Sequence, residues 1–196
     1  MSAALALKTR LAQPMIIAAP GAPDSLTARL VQQAGFDATY MTGFGATSVR
    51  LGTPDLGLLT LTEMADHARN MVRAVEIPVI ADADTGYGGP LNISRTVEEY
   101  LQAGVAALHL EDQAAPKRCG QLAGIRLTPA DEAALRLKAA VTARGRNDLL
   151  IIGRTDALPV AGIDTPTHPG RSDNRDSIGS HGGGGTADSD GKHPGR

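Results

Sequence analysis

Between residues 15 and 160, short apolar runs alternate with longer amphipathic stretches, and glycine, proline or a small polar cluster closes each run. Bounded apolar runs read as buried strands, and apolar spacings of three and four read as one-sided helices. Met15-Ile16-Ile17-Ala18-Ala19 is a first strand, ended by Pro20-Gly21. A helix follows with Asp24 or Ser25 as N-cap, Leu26, Leu30 and Val31 on one face, and Gly35 as its stop. Ala38-Thr39-Tyr40-Met41-Thr42 is a second strand, breaking at Gly43-Phe44-Gly45. A long helix begins near Thr62 and Glu63, carries Met64, His67, Ala68, Met71 and Val72, and cannot pass Pro78. The third strand, Pro78-Val79-Ile80-Ala81, runs on into Asp82-Ala83-Asp84-Thr85-Gly86. The next helix starts near Asn92 or Ser94, turns Val97, Tyr100 and Leu101 inward, and stops at Gly104. Ala106 to Leu110 is a fourth strand, and Leu149 to Ile152 a fifth. Between them lies a helix from Pro129 to Ala143, with Thr128 as N-cap and Pro129 at its first position. Residues 1–14 carry Lys8 and Arg10 without an acid and predict a short amphipathic surface helix.

Strands alternating with helices predict an α/β fold with a parallel sheet. A doubly wound sheet and a (β/α)8 TIM barrel both fit that alternation. Thr42, Asp84, Glu111 and Arg154 stand at or just after the C-terminal ends of four different strands. An open sheet concentrates its ligand groups at one switch point, whereas a barrel collects them from many strands. No dinucleotide or phosphate-loop glycine pattern follows the first strand. The expectation is an incomplete TIM barrel of about five βα units over residues 1–161.

Composition changes the picture only at the C-terminal end. From Gly162 to Arg196 the only apolar side chains are Ile163, Ile178 and Ala187. Such a segment buries too little surface to offset its ordering entropy, which predicts a disordered, low-complexity tail. Its histidines, His168, His181 and His193, lack a metal-binding spacing. The switch in composition is that expected of out-of-frame translation or a misplaced splice. Across the chain, a net charge of −2 gives no electrostatic case for nucleic acid, and no apolar run is long enough to span a bilayer. The single cysteine excludes an internal disulfide. Together these point to a cytoplasmic setting, with a mitochondrial one left open.

The candidate chemistry centres on the end of the third strand. Side chains at i and i+2 share a face, so Ile80, Asp82 and Asp84 lie on one side. An apolar strand that delivers two aspartates at its tip suits a hard divalent cation, because Mg²⁺ prefers carboxylate and water oxygens. Thr42, Gly43 and Phe44 offer a hydroxyl and backbone N–H groups suited to a carboxylate, and Arg154 can grip another. His109 shares a face with Glu111, and both a core histidine donating to a backbone group and a role in the site fit it. Cys119 sits in a polar loop beside Lys117, Arg118 and Gly120, an electropositive setting that favours a thiolate.

Six segments occur in a fixed order: Tyr40-Met41-Thr42-Gly43-Phe44-Gly45, Gly52-Thr53-Pro54-Asp55-Leu56-Gly57, Ala81-Asp82-Ala83-Asp84-Thr85-Gly86-Tyr87-Gly88, His109-Leu110-Glu111-Asp112-Gln113, Lys117-Arg118-Cys119-Gly120 and Gly153-Arg154-Thr155-Asp156-Ala157. Together they resemble the isocitrate lyase/phosphoenolpyruvate mutase superfamily, and Lys117-Arg118-Cys119-Gly120 resembles its lyase branch, including the methylisocitrate lyases. The resemblance implies a (β/α)8 barrel and a Mg²⁺-dependent carbon–carbon lyase, with Mn²⁺ as a substitute ion. Its implied metal ligands are Asp82, Asp84 and Glu111. Its implied substrate contacts are Tyr40, Thr42, Gly43, Phe44, Asp55, Gly120 and Arg154, and its catalytic loop residues Lys117, Arg118 and Cys119. A 2-hydroxy di- or tricarboxylate would be cleaved to a 2-oxo acid and a succinate-like acid, with the thiol protonating the departing fragment. The family further implies a small carboxylic acid as ligand and a homo-oligomer.

Two departures accompany the resemblance. Gln121 stands where lyases of the family carry histidine, and the likeness stops near Gly162, short of the ~250 residues of a closed barrel. Two function classes follow: a lyase whose barrel is completed by a partner chain or a longer sequence, and a catalytically inactive truncated fragment, either inert or pairing with a full-length paralogue through its open sheet edges. An oxaloacetate hydrolase and a phosphonomutase are the rivals within the enzyme class, and the cysteine loop argues against the mutase.

Overall fold

The structure is a computed structural model that describes residues 2–161; the low-complexity segment expected over 162–196 lies outside the described residues. Five strands form one parallel sheet in the order β1-β2-β3-β4-β5. They are β1 (Gly21–Ala22), β2 (Thr39–Met41), β3 (Val79–Asp82), β4 (Ala107–Glu111) and β5 (Leu150–Arg154). The helices are α1 (Ala3–Leu11), α2 (Ser25–Gln33), α3 (Gly43–Leu51), α4 (Leu61–Ala74), α5 (Pro90–Ala103), α6 (Ala130–Arg144) and α7 (Leu158–Ala161). Among the described residues spatial order equals sequence order, so the sheet does not reverse and shows no switch point there. That is barrel winding rather than double winding.

Helix boundaries follow local chemistry. Thr60 and Glu63 close a reciprocal capping box at the start of α4, which turns Met64, Ala65, His67, Ala68 and Met71 into the core. Pro90 opens α5, and Gly104, at φ +85°, closes it in the left-handed conformation that glycine adopts without strain. Ile93, Thr96, Val97, Tyr100 and Ala103 form its buried stripe. Against these two helices lie Met41, Val79, Ala81 and Leu108 of the sheet, making one contiguous core in which Tyr100 is the largest fully buried side chain.

The other face of the sheet points into the barrel. Partners in register share a face, so Tyr40, Ile80, Ala107 and Leu150 form one tier, Asp82, His109 and Ile152 the next, and Glu111 and Arg154 the uppermost. The interior thus grades from an apolar floor to a polar mouth at the strand C-termini. Helix α1, expected on the surface, instead contributes Ala4 and Leu7 to a second cluster with Ala38, Ala106 and Ala107 at the floor.

Several elements depart from the sequence pattern. Met15 to Ala19 forms no strand: Ile16 is 96% exposed, and the ladder begins only at Gly21. Pro20 lacks an N–H, but its carbonyl accepts from the Tyr40 N–H at 2.9 Å, so the pairing starts there. Gly43-Phe44-Gly45 opens α3 rather than breaking the chain, with the Thr42 hydroxyl accepting from the Gly45 N–H. Leu26 and Leu30 are exposed, and α2 turns Ala28 and Val31 inward. Asp24, not Ser25, caps that helix, and Pro129 takes the N-cap position of α6 that Thr128 was expected to fill. The Thr128 hydroxyl donates to the Asp112 carbonyl instead.

Candidate active site

At the C-terminal mouth of the sheet, Tyr40, Thr42, Phe44, Asp55, Asp82, Glu111, Lys117, Arg118, Cys119, Gly120, Gln121 and Arg154 line one pocket of about 160 Å³. Of the residues singled out from sequence, Gly43 and Asp84 adjoin this pocket through their partners rather than lining it.

Asp82 ends β3 facing inward, and one of its oxygens accepts from the Gly43 N–H at 3.1 Å. A Cβ on residue 43 would stand 2.5 Å from that oxygen, so only glycine allows α3 to approach so closely. The Gly43 N–H, expected to face a substrate carboxylate, is therefore committed to Asp82. The Gly45 N–H is likewise committed to Thr42.

Asp84 does not continue the strand alternation. It lies in a turn at φ +49°, and its N–H donates to the other Asp82 oxygen at 2.9 Å. Burial, reinforced by the Asp82 charge, pushes its carboxyl up to about 6 against the pull of Lys117. The Lys117 ammonium lies between Asp84 and Asp55, 2.8 Å from the latter. Burial opposes its charge, but Asp84 and Asp82 override it and hold the ammonium protonated above its ordinary range. Lys117 is thus the counter-charge of a buried acidic cluster. Arg118 donates to the Ala123 carbonyl at 2.9 Å. Both cations expected around the thiol are held by oxygen partners.

Glu111 closes β4 with one oxygen 3.3 Å from Arg154 and the other buried without a hydrogen-bond partner among the described residues. Burial pushes its carboxyl up to about 8, with Lys117 and Arg154 pulling the other way. Arg154 is also less free than its sequence suggests. Its Nε and an Nη grip Asp156 at 2.8 and 3.1 Å, leaving one Nη toward Glu111. His109 meets side chains rather than backbone: its Nδ1 lies 2.9 Å from the Tyr40 hydroxyl and its Nε2 3.8 Å from Asp82. Burial lowers its proton affinity, while burial and the Asp82 charge raise that of the Tyr40 phenol well above the ordinary range.

The loop that carries Cys119 is held by its backbone. The Cys119 N–H donates to the Asp55 carbonyl at 2.9 Å, and Gly120 passes directly over the Arg154–Asp156 fork. A Cβ there would meet an Arg154 nitrogen at 2.3 Å. Asp156 and Gln113 were not singled out as site residues. Both are buried polar side chains within the quoted segments, and only the fold shows that they meet at 2.6 Å.

No three His, Cys, Asp or Glu side chains among the described residues converge closely enough to cage a metal unaided, so the expected Asp82–Asp84–Glu111 set does not form a closed cage. The donors nonetheless fit Mg²⁺, which keeps several of its waters and needs only one or two carboxylates. The unpartnered Glu111 oxygen and the carboxyls displaced toward neutrality mark a surplus of buried negative charge that a hydrated cation relieves.

A singly wound parallel sheet with acids, a lysine, an arginine and a thiol at its C-terminal mouth defines part of an α/β barrel, the architecture that gathers polar groups from many strand ends. The chain belongs to the phosphoenolpyruvate mutase/isocitrate lyase superfamily: the family model described as phosphoenolpyruvate phosphomutase matches residues 7–172. It is 47% identical to the 2,3-dimethylmalate lyase of Eubacterium barkeri over 84% of this chain and 57% of that one. It is 44% identical to the 2-methylisocitrate lyase of Bacillus subtilis over 79% of this chain and 50% of the relative. A solved oxaloacetate acetylhydrolase bound to 3,3-difluorooxalacetate superposes with a TM-score of 0.79 at 44% identity, covering 82% of this chain and 56% of that one. The chain therefore spans about half the length of the relatives it matches. Among the described residues, no helix is long and apolar enough to cross a membrane.

Proposed function

We propose that this chain carries the metal-binding and thiol-bearing part of a lyase site that cleaves the C2–C3 bond of a 2-hydroxy di- or tricarboxylate. The products are a 2-oxo acid and a succinate-like acid. The observation that carries this reading is the convergence of Cys119, Glu111, Asp82 and Arg154 on one pocket of about 160 Å³.

Asp82, Asp84 and Glu111 are the residues that would hold Mg²⁺ or Mn²⁺, largely through water. The cation supplies Lewis-acid polarisation of the hydroxyl and carboxylate it contacts. Lys117 pulls the raised Asp84 and Glu111 carboxyls back toward the charged form, and the Arg154 nitrogen left toward Glu111 offers a substrate carboxylate a donor. As the substrate hydroxyl loses its proton to a base, the carbon–carbon bond breaks and its electron pair stays on the departing acid. The Cys119 thiol then gives its proton to that carbon, forming a C–H bond and leaving a thiolate. Such positioned proton transfer contributes ~10²–10⁴-fold to rate.

A hydrolytic reading, with oxaloacetate as substrate, draws support from the likeness to the acetylhydrolase structure. One assay separates the two: release of 2-oxo acid from methylisocitrate, isocitrate and 2,3-dimethylmalate, beside release of oxalate from oxaloacetate, with and without Mg²⁺. The lyase reading expects 2-oxo acid only with the metal, and Cys119→Ser is expected to lower that rate by ~10²-fold or more. An unchanged rate in Cys119→Ser would sink the role given to the thiol. Absence of turnover with every acid would leave the non-catalytic fragment as the better reading.

A further inference from the structure

Gln113, just beyond the end of β4, is only 1% exposed, and its side chain takes no part in the chemistry proposed for the site. Its amide nitrogen donates to the Arg118 carbonyl at 3.0 Å and to Asp156 at 2.6 Å, while its amide oxygen accepts from the Arg118 N–H at 3.0 Å. Both amide hydrogens are therefore used, and the oxygen is engaged as well. The backbone of Gln113 is fixed too, bridging to Leu127 and accepting from Arg136 at 3.2 Å. On the far side, Asp156 is held by the Asp112 carboxylate through its own N–H at 2.9 Å and grips Arg154 with both oxygens.

We propose that Gln113 is a positioning residue whose buried amide indexes the Lys117–Gly120 loop against the Arg154–Asp156 fork. It thereby sets where the Cys119 thiol stands relative to Arg154. An amide is the side chain that meets this geometry, because it presents donors and an acceptor on one planar head. It pairs with the Arg118 peptide as a neighbouring strand would and still has a hydrogen left for Asp156. A carboxylate of the same shape offers Arg118 no donor for its carbonyl and sets a second negative charge against Asp156. The assignment rests on Cys119 as the acting thiol, but the geometry can be read without turnover, because Cys119 is the only cysteine in the chain.

The test is the rate of Cys119 alkylation by iodoacetamide, with Cys119→Ser as blank, beside thermal melting and lyase kinetics of the same samples. In Gln113→Glu the freed loop exposes the thiol, and labelling is expected to rise about tenfold, consistent with loss of a hydrogen bond to a charged group. Where turnover is measurable, kcat falls while KM stays within about threefold, because the loop acts at the proton-transfer step. The uncharged variant Gln113→Met removes the same three hydrogen bonds without adding a charge. It is expected to raise labelling by about tenfold as well. Parent-like labelling in a folded Gln113→Glu or a folded Gln113→Met overturns the proposal. Should Gln113→Glu melt before it can be labelled, Gln113→Met decides alone, and a folded Gln113→Met labelling within about threefold of the parent refutes the indexing role. A chain with no lyase activity whose labelling still responds to Gln113 would refute the function proposed for the thiol and leave the positioning intact.

Discussion

Lys117 is the residue on which the acidic cluster depends. Its ammonium faces Asp55 and Asp84 with all three side chains more than nine-tenths buried, so removing it strands two carboxylates away from water. Lys117→Met is expected to cost about 3–5 kcal/mol of unfolding free energy in chelator, the range for breaking a buried pair. Adding Asp84→Asn should recover part of that loss, and Mg²⁺ should stabilise Lys117→Met more than the parent. Urea midpoints measure all three effects; a Lys117→Met midpoint equal to the parent's in chelator would refute the role. The sequence displayed Lys117 beside Cys119 and so directed attention to the thiol. Its partners stand 62 residues upstream in Asp55 and across the mouth in Asp84, distances that no local pattern encodes. Asp82 and Glu111 were legible because they follow apolar strands directly. Gln113 and Asp156 were not, since a buried amide–carboxylate contact leaves no periodic trace.

At the scale of elements, the junction of α2 and α4 carries a pH signature. His67 of α4 is buried, and its Nε2 lies 2.8 Å from the Pro23 carbonyl that leads into α2, a contact the neutral ring makes as donor. Burial holds its proton affinity below the ordinary 6.5 despite that contact. The unfolded chain therefore binds the proton at a higher pH than the folded one. The contribution of neutral His67 is complete above pH 6.5 and is lost as pH falls through the lower, folded value. Melting temperatures of the parent and His67→Gln from pH 8 to 5 should converge on the acidic side, because the variant lacks this protonation. Curves that stay parallel would exclude His67 as the source. Helices α4 and α5 could be read from sequence because their stripes, caps and stop signals agree. Helix α3 could not, because its two early glycines signal a break, and only the contacts with Asp82 and Pro23 show why they are tolerated in a helix. The first strand failed for the opposite reason: Met15 to Ala19 has strand composition but pairs with no strand among the described residues.

For the whole molecule, the gradient from apolar floor to polar mouth assigns opposite tasks to the two ends of the sheet. The floor is closed by α1, whose Leu7 is 1% exposed among Ala38, Ala106 and Ala107. Leu7→Ala is expected to destabilise the chain by about 2–5 kcal/mol, as deletions in closed cores do. It should leave Cys119 labelling under native conditions unchanged, because the altered contacts lie at the opposite strand ends. A change in labelling without a change in stability would contradict that division. The α/β class and the winding of the sheet were legible from alternation and from the spread of polar residues over strand tips, since both are one-dimensional consequences of barrel geometry. The role of α1 was not, because a helix that plugs a floor needs only two or three apolar positions and looks like a surface helix.

The loop bearing Cys119 touches its surroundings largely through peptide groups: the Cys119 N–H on Asp55, the Arg118 N–H and carbonyl on Gln113, and Gly120 against Arg154. A segment gripped by its main chain behaves as a socket, with Arg118 and Gln121 as exchangeable fittings. Replacing those two side chains therefore changes what lines the pocket while the thiol keeps its place, so a new lining at the mouth need not be preceded by new architecture beneath it.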